Sequence, residues 1–389
     1  MRRSTDRILT THAGSLPRAG DLGAMIRRKA QGEVLDEGAF FARVKKAVGD
    51  VVRLQAEAGI DVASDGEQGR VGFIPYVNER LTGIAPSPTI EAANYWSQSR
   101  EYRAFPDFYA WATSLPGAAG STGRTRWLCT GPLSYTGHAA LQRDIDNLKA
   151  AMTGQKVVEA FMPAVSPSNL ANWNRNEHYK TEEDYLVALA EALREEYKAI
   201  IDAGLILQID DPLLASYYVM HPEASIGECR TWAAHRIEVL NHALRGLPED
   251  RIRYHTCYSI NIGPRVHDME LRHIVDLIVK INAGAYSFEA ANPRHEHEWK
   301  VWESVKLPEG KSLIPGVITH SSNIVEHPDV IAQRISRFAG VVGRDNVIAG
   351  ADCGFASFAS TCEVHPSVVW VKLAALAEGA RIASRDLWS

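Results

Sequence analysis

Short apolar runs alternate along this chain with longer stretches whose apolar positions recur every three or four residues. The longer pattern puts one apolar stripe on a helix, and the short runs suit strands buried on both faces. The clearest helix spans 181–203, where Thr181 can cap with Asp184 three residues on. Leu186, Leu189, Leu193, Ile200 and Ile201 form its stripe. It stops at Gly204 and runs into LILQIDDP, an apolar run closed by carboxylates. The unit returns with a helix near 41–58 before DVASDGE (61–67) and one near 231–245 before RIRYHTC (251–257). Helices near 268–282 and 328–341 precede AYSFEA (285–290) and NVIAGADC (346–353). TTHAGS (10–15), VVEAFMPAV (157–165) and LIPGVITH (313–320) bring the candidate strands to eight.

Strands separated by helices pair in parallel through right-handed crossovers. Eight such units close most simply as an α/β fold of the (β/α)8 TIM-barrel type, with an open doubly wound sheet as the alternative. Such a barrel takes ~250 residues, and this chain has 389. Most of the surplus falls at about 68–156, a stretch rich in aromatics and prolines (FIPY, NYW, EYRAF, DFYAW). Its apolar positions are too irregular for a core of its own. The expectation is therefore a single barrel over 1–389, with an insertion at about 68–156 lying over the C-terminal mouth.

Composition narrows the setting. Apolar residues at 46% and charged residues at 23% exclude wholesale disorder. A net charge of −5 without any Lys/Arg block argues against nucleic-acid or membrane-surface partners. No apolar run approaches the ~20 residues needed to span a bilayer, and MRRSTDRILTTHAGS lacks the apolar core of a signal peptide. Five widely spaced cysteines do not make a disulfide framework. A cytoplasmic location is expected, with thiols available for metal or catalysis. The oligomeric state stays open, with a homo-oligomer as one option.

The chemistry lies in where unusual residues sit. Ser15, Glu67, Asp210, His255, Cys257, Glu289, His320 and Cys353 all fall at the C-terminal ends of the expected strands. In a barrel those ends converge on one mouth, where active sites are built. In extended backbone, residues i and i+2 point the same way, so His255 and Cys257 can face one ion. Glu289 and Cys353 would complete an N, S, O, S donor set suited to Zn2+. The bland alternatives are a satisfied core histidine with packed thiols, and a purely structural zinc. Structural sites use Cys and His almost exclusively, so a carboxylate in the set favours a catalytic ion. In the run Arg294-His295-Glu296-His297-Glu298, adjacent residues alternate faces, so it reads as a supporting or substrate-contacting loop. Cys129, Cys229 and Cys362 read as packed thiols.

TTHAGSLPR (10–18), DGEQGR (65–70), QIDDP (208–212), HTC (255–257), SFEA (287–290), PGVITHSSN (315–323) and ADCG (351–354) together resemble the cobalamin-independent methionine synthases. They stand in the family's order across nearly the whole chain and match its catalytic C-terminal barrel. Single-barrel relatives of that kind include the epoxyalkane:coenzyme M transferases. The resemblance implies zinc on His255, Cys257, Glu289 and Cys353. It also implies that Glu67 and Asp210 hold the amino group of an amino-acid thiol, that the Ala13-Gly14-Ser15 turn meets its carboxylate, and that His320 donates a proton near the leaving group. Three departures stand out: Asp211 replaces the longer acid of the family's IDEP, the segment between HTC and Glu289 is longer, and Trp173 lies a couple of positions from the family's folate-side tryptophan.

The expected function is a zinc-dependent thiol alkyltransferase that moves a methyl group from an alkyl or methyl donor, a methylated folate being one candidate, to a small-molecule thiol such as homocysteine. One rival acts on coenzyme M, whose sulfonate would need Arg100 or Arg103 to reach the site. Another is a zinc hydrolase, against which two thiolate ligands count.

Overall fold

The computed structural model describes residues 1–92, 97–114, 124–258, 263–359, 362 and 364–389. Eleven strands are named in chain order: β1 (Leu9–Thr10), β2 (Val62–Ala63), β3 (Ile84–Ala92), β4 (Arg124–Cys129), β5 (Glu159–Val165), β6 (Asn174–Asn176), β7 (Ile206–Asp210), β8 (Ile252–His255), β9 (Ala285–Phe288), β10 (Ser312–Ile318) and β11 (Ile348–Ala351). Eight of them make a parallel sheet in the order β1-β11-β10-β9-β8-β7-β5-β2. These are the eight runs expected from the sequence, and their C-terminal ends share one rim.

The sheet turns back on itself rather than opening. At the seam between β1 and β2, the Asp61 backbone N–H donates to the Thr10 carbonyl at 3.1 Å, and Thr11 Oγ1 donates to the Val62 carbonyl at 2.9 Å. Asp61 also holds Arg7 through two 2.7 Å bonds and accepts the Thr10 N–H at 2.9 Å. The result is a (β/α)8 barrel, and the doubly wound alternative is excluded.

Helices Glu37–Glu57, Glu182–Asp202, Ile226–Leu244, Pro328–Val342 and Pro366–Trp388 pack around the strands. Thr181 caps its helix as expected, accepting the Asp184 N–H at 3.0 Å. The helix expected over 268–282 shortens to Val275–Ile278, with a 3-10 turn at Leu271–His273. Arg265 and Asp268 turn inward toward other charged groups, and the Leu271 N–H is taken by Glu298 at 2.6 Å. The chain there makes tertiary bonds where a helix would have made local ones.

Strands β3 and β4, which lie between β2 and β5, join β6, which follows β5, in a second, three-stranded sheet. Helices Arg100–Ala104 and Pro106–Ser114 lie between β3 and β4. The helix His138–Met152 packs against Glu37–Glu57, where a barrel helix between β2 and β5 belongs. Two adjacent residues tie this part of the chain to loops above the barrel. Arg100 donates to the carbonyls of Tyr218, His221 and Ala224, and Glu101 accepts the N–H groups of Val266 and His267.

Asp61 carries the seam, so Asp61→Ala should cost about 2 kcal/mol of unfolding free energy, and Asp61→Asn less. Denaturant unfolding would check this; a loss below about 0.5 kcal/mol for the alanine variant would mean that the seam is held elsewhere.

Candidate active site

A cavity, partly open to solvent, lies over the C-terminal ends of the strands. Six of the eight residues singled out in the sequence line it: Ser15, Glu67, Asp210, His255, Cys257 and Cys353. Glu289 and His320 stand behind its wall, 1% and 0% exposed.

One end is acidic. Glu67 follows Gly66 in the tight turn after β2 and has a left-handed φ of 56°, a strained value for a residue with a side chain. Asp210 ends β7. Both carboxylates are buried. Burial and the neighbouring Glu67 push the Asp210 carboxyl well above the usual range, while a hydrogen bond from Gln208 pulls it down. The turn after β1 closes over this end. Gly14 has φ 131°, and a β-carbon there would stand 3.0 Å from Glu67 Oε1. Gly354 faces Ser15 so closely that a β-carbon would lie 2.0 Å from its Oγ. The carboxylate end thus fits only with glycine at both positions.

The other end carries soft ligands. The donor atoms of His255, Cys257 and Cys353 all lie within 4.8 Å of one another, and the two sulfurs are 3.1 Å apart. His255 ends β8, and its Nδ1 is bonded to Ser287 Oγ at 3.0 Å. Its Nε2 is buried without a hydrogen-bond partner among the described residues. Burial, with the charges of Arg253 and His320, pushes this histidine down to about 3, so the imidazole is neutral. The Cys353 thiol is raised by its hydrogen bond with Cys257, by burial and by nearby negative charge. A neutral imidazole with an unsatisfied nitrogen beside two sulfurs is the donor set a soft divalent cation would complete.

Glu289 is engaged elsewhere. Its Oε1 accepts the Tyr258 N–H at 2.8 Å, and its Oε2 takes Arg265 at 2.8 Å and Asn292 Nδ2 at 2.7 Å. It therefore stands outside the three-residue group. Next to Cys353, Asp352 accepts the N–H groups of Ala290, Ala291 and Asn292 at 2.7–3.0 Å, tying the loop after β9 to the loop after β11. His320 sits near enough to His255 and Asp352 for its charge to act on both.

Of the run 294–298, His295 is buried, stacked on Tyr258 at 3.9 Å and bonded to Glu298 and Asp268. Burial lowers its affinity for a proton, but those two carboxylates prevail and raise it to about 9. It belongs to the charged network behind Glu289 rather than to the cavity. Cys129 and Cys229 are buried as expected, whereas Cys362 is exposed.

The cavity also has an aromatic wall. Trp173 and Phe358 stack at 6.3 Å with 23° between their planes, and Phe73 meets Phe358 edge-on at 6.0 Å. Asn169, Asn172 and Ser216 supply its polar rim. Trp173 stood out in the sequence. Phe73, Phe358 and the two asparagines did not: Phe73 and Phe358 come from separate loops, and Asn169 and Asn172 sit on the short helix Pro167–Trp173 without a distinctive local pattern.

The barrel and this cavity place the chain in a class, and comparison names the family. The model of the cobalamin-independent synthase catalytic domain matches residues 8–160 and 137–375, and the chain belongs to that family. A methionine synthase of Saccharolobus islandicus is 25% identical over 385 residues, covering 97% of this chain and 95% of the relative. The 5-methyltetrahydropteroyltriglutamate–homocysteine methyltransferase of Catharanthus roseus is 26% identical over 362 residues, 92% of this chain. The match spans only 41% of that longer relative. In fold, the chain is similar to a B12-independent methionine synthase from Shewanella sp. W3-18-1, with a TM-score of 0.73, 21% identity and coverage of 98% and 99%.

Proposed function

We propose that this chain is a zinc-dependent S-methyltransferase acting on homocysteine. The observation that carries the reading is one cavity with two buried carboxylates at one end and a His-Cys-Cys group at the other. An amino-acid thiol has the matching polarity, an ammonium at one end and a sulfur at the other. Names of the relatives support the same substrate class.

His255, Cys257 and Cys353 would hold the ion, with Glu289, whose charge acts on Cys353, as the fourth ligand of the reading. Bound Zn2+ would supply the charge that keeps a thiol as a nucleophilic thiolate near neutral pH. Glu67 and Asp210 anchor the ammonium in this reading, and Ser15 with its turn meets the carboxylate. Two-point anchoring fixes the direction in which the sulfur points, which is where most of the rate gain from positioning arises. His320, buried beside His255, is the candidate proton donor to the departing group. The aromatic wall of Trp173, Phe358 and Phe73 offers flat apolar surface to the methyl donor, and the relatives' pteroyl donor fits that chemistry. Localisation to the cytoplasm is part of the same proposal; among the described residues, no helix is long and apolar enough to cross a membrane.

A sulfonate-bearing thiol is disfavoured. Arg100 and Arg103, the cations it would need, bond instead to the Tyr218, His221 and Ala224 carbonyls and to Glu223. Two carboxylates would face the sulfonate.

Zinc-edge X-ray absorption tests the reading. Homocysteine added to the zinc-loaded protein should add one sulfur to the metal's coordination shell; an unchanged shell would refute it. A second expectation concerns protons. Burial and the neighbouring Glu67 raise the Asp210 carboxyl, and an arriving ammonium favours the ionised form. Binding must then release a proton, so affinity rises with pH until the amine itself deprotonates. Methionine, which has no thiol proton, should show this release in calorimetry across buffers of different ionisation enthalpy. Proton uptake would contradict it.

A further inference from the structure

Beneath the acidic end of the cavity lies a cation that the proposed chemistry does not use. Arg253, in the middle of β8, is 1% exposed and is among the largest fully buried side chains of the chain. Its Nε donates to Gln208 Oε1 at 2.7 Å, Nη1 to Thr11 Oγ1 at 2.9 Å and Nη2 to the His12 carbonyl at 2.7 Å. Its guanidinium lies 3.4 Å over the ring of Phe161. Three strands and the turn after β1 therefore converge on one buried charge, and burying it is costly unless it serves other groups.

The Gln208 amide transmits that charge upward. A guanidinium has donors only, so the oxygen of the Gln208 amide must face Arg253. This fixes the amide without ambiguity and leaves Nε2 to donate at 2.6 Å to Asp210 Oδ1 and at 2.6 Å to the Ala13 carbonyl. One side chain thus orients Asp210 and pins the turn that carries Ser15. Neither Gln208 nor Arg253 lines the cavity. They act through Asp210.

We propose that Arg253 and Gln208 form a buried positioning relay that makes the site selective for thiols bearing an α-ammonium, by holding the Asp210 carboxyl group in place and aimed into the cavity. The inference rests on the reading of Asp210 as an ammonium anchor. Gln208 supplies the direction, because a carboxylate with one oxygen tied back presents the other. Arg253 fixes the relay, because its bond to the Gln208 oxygen keeps the amide nitrogen on Asp210. Lysine cannot replace it, since a point charge cannot span Gln208, Thr11 and the His12 carbonyl at once.

The test compares two ligands on the full-length, zinc-loaded protein: homocysteine and 4-mercaptobutyrate, which keeps the thiol and carboxylate but lacks the amine. The wild type should prefer homocysteine. Gln208→Met should weaken homocysteine by about tenfold or more while leaving 4-mercaptobutyrate within about twofold. Arg253→Lys should lose the preference in the same way, and it stands as the second variant if Gln208→Met fails to fold. Equal losses for both ligands would reduce the relay to a structural role and overturn the proposal. An intact preference in the variants would overturn it too. If the wild type itself shows no preference, the ammonium reading of Asp210 falls and takes the relay with it.

Discussion

A charge folded out of water must find a partner inside the protein, and that constraint orders the upper layer of this barrel. Arg253 meets it from below, with three hydrogen bonds and an aromatic face. Asp210 meets it through Gln208, and Glu289 through Arg265 and Asn292. Two demands are left for ligands. The Asp210 carboxyl is raised by burial and by Glu67, and the His255 Nε2, beside two sulfurs, has no partner among the described residues. In the proposed function a substrate ammonium answers the first and a metal ion the second.

The backbone supports the same arrangement. Glu67 is held at a positive φ, and Gly14 and Gly354 permit approaches that no β-carbon would allow. Strain of that kind persists where surrounding bonds fix it. Here the Leu16 N–H bonds to the Gly66 carbonyl and the Phe355 N–H to the Ser15 carbonyl, locking three loops of the rim together. Farther out, Arg100 and Glu101 hold the loops above β7 and β8. Rim geometry is therefore set from two sides, by the barrel below and by the segment between β3 and β4 above.

Much of this was legible in the sequence, for identifiable reasons. Parallel strands buried on both faces appear as unbroken apolar runs, so LILQID, RIRYH and NVIAGA stood out. A polar residue that ends such a run lies on the rim, which is why six of the eight singled-out residues line one cavity. What stayed hidden depends on partners distant in sequence. Nothing near Glu289 announces Arg265, and nothing near Arg253 announces Gln208, 45 residues earlier. The helix expected over 268–282 gave way because its first residues serve that buried network instead. Trp173, Phe73 and Phe358 meet only in the folded chain.

The central claim is that one cavity grips an amino-acid thiol by both ends. A crystal structure of the zinc-loaded protein with homocysteine tests it most directly. The account predicts the amino nitrogen between Glu67 and Asp210, and the sulfur on the metal beside His255, Cys257 and Cys353. A ligand bound in the reverse direction, or a metal held by other residues, would contradict it.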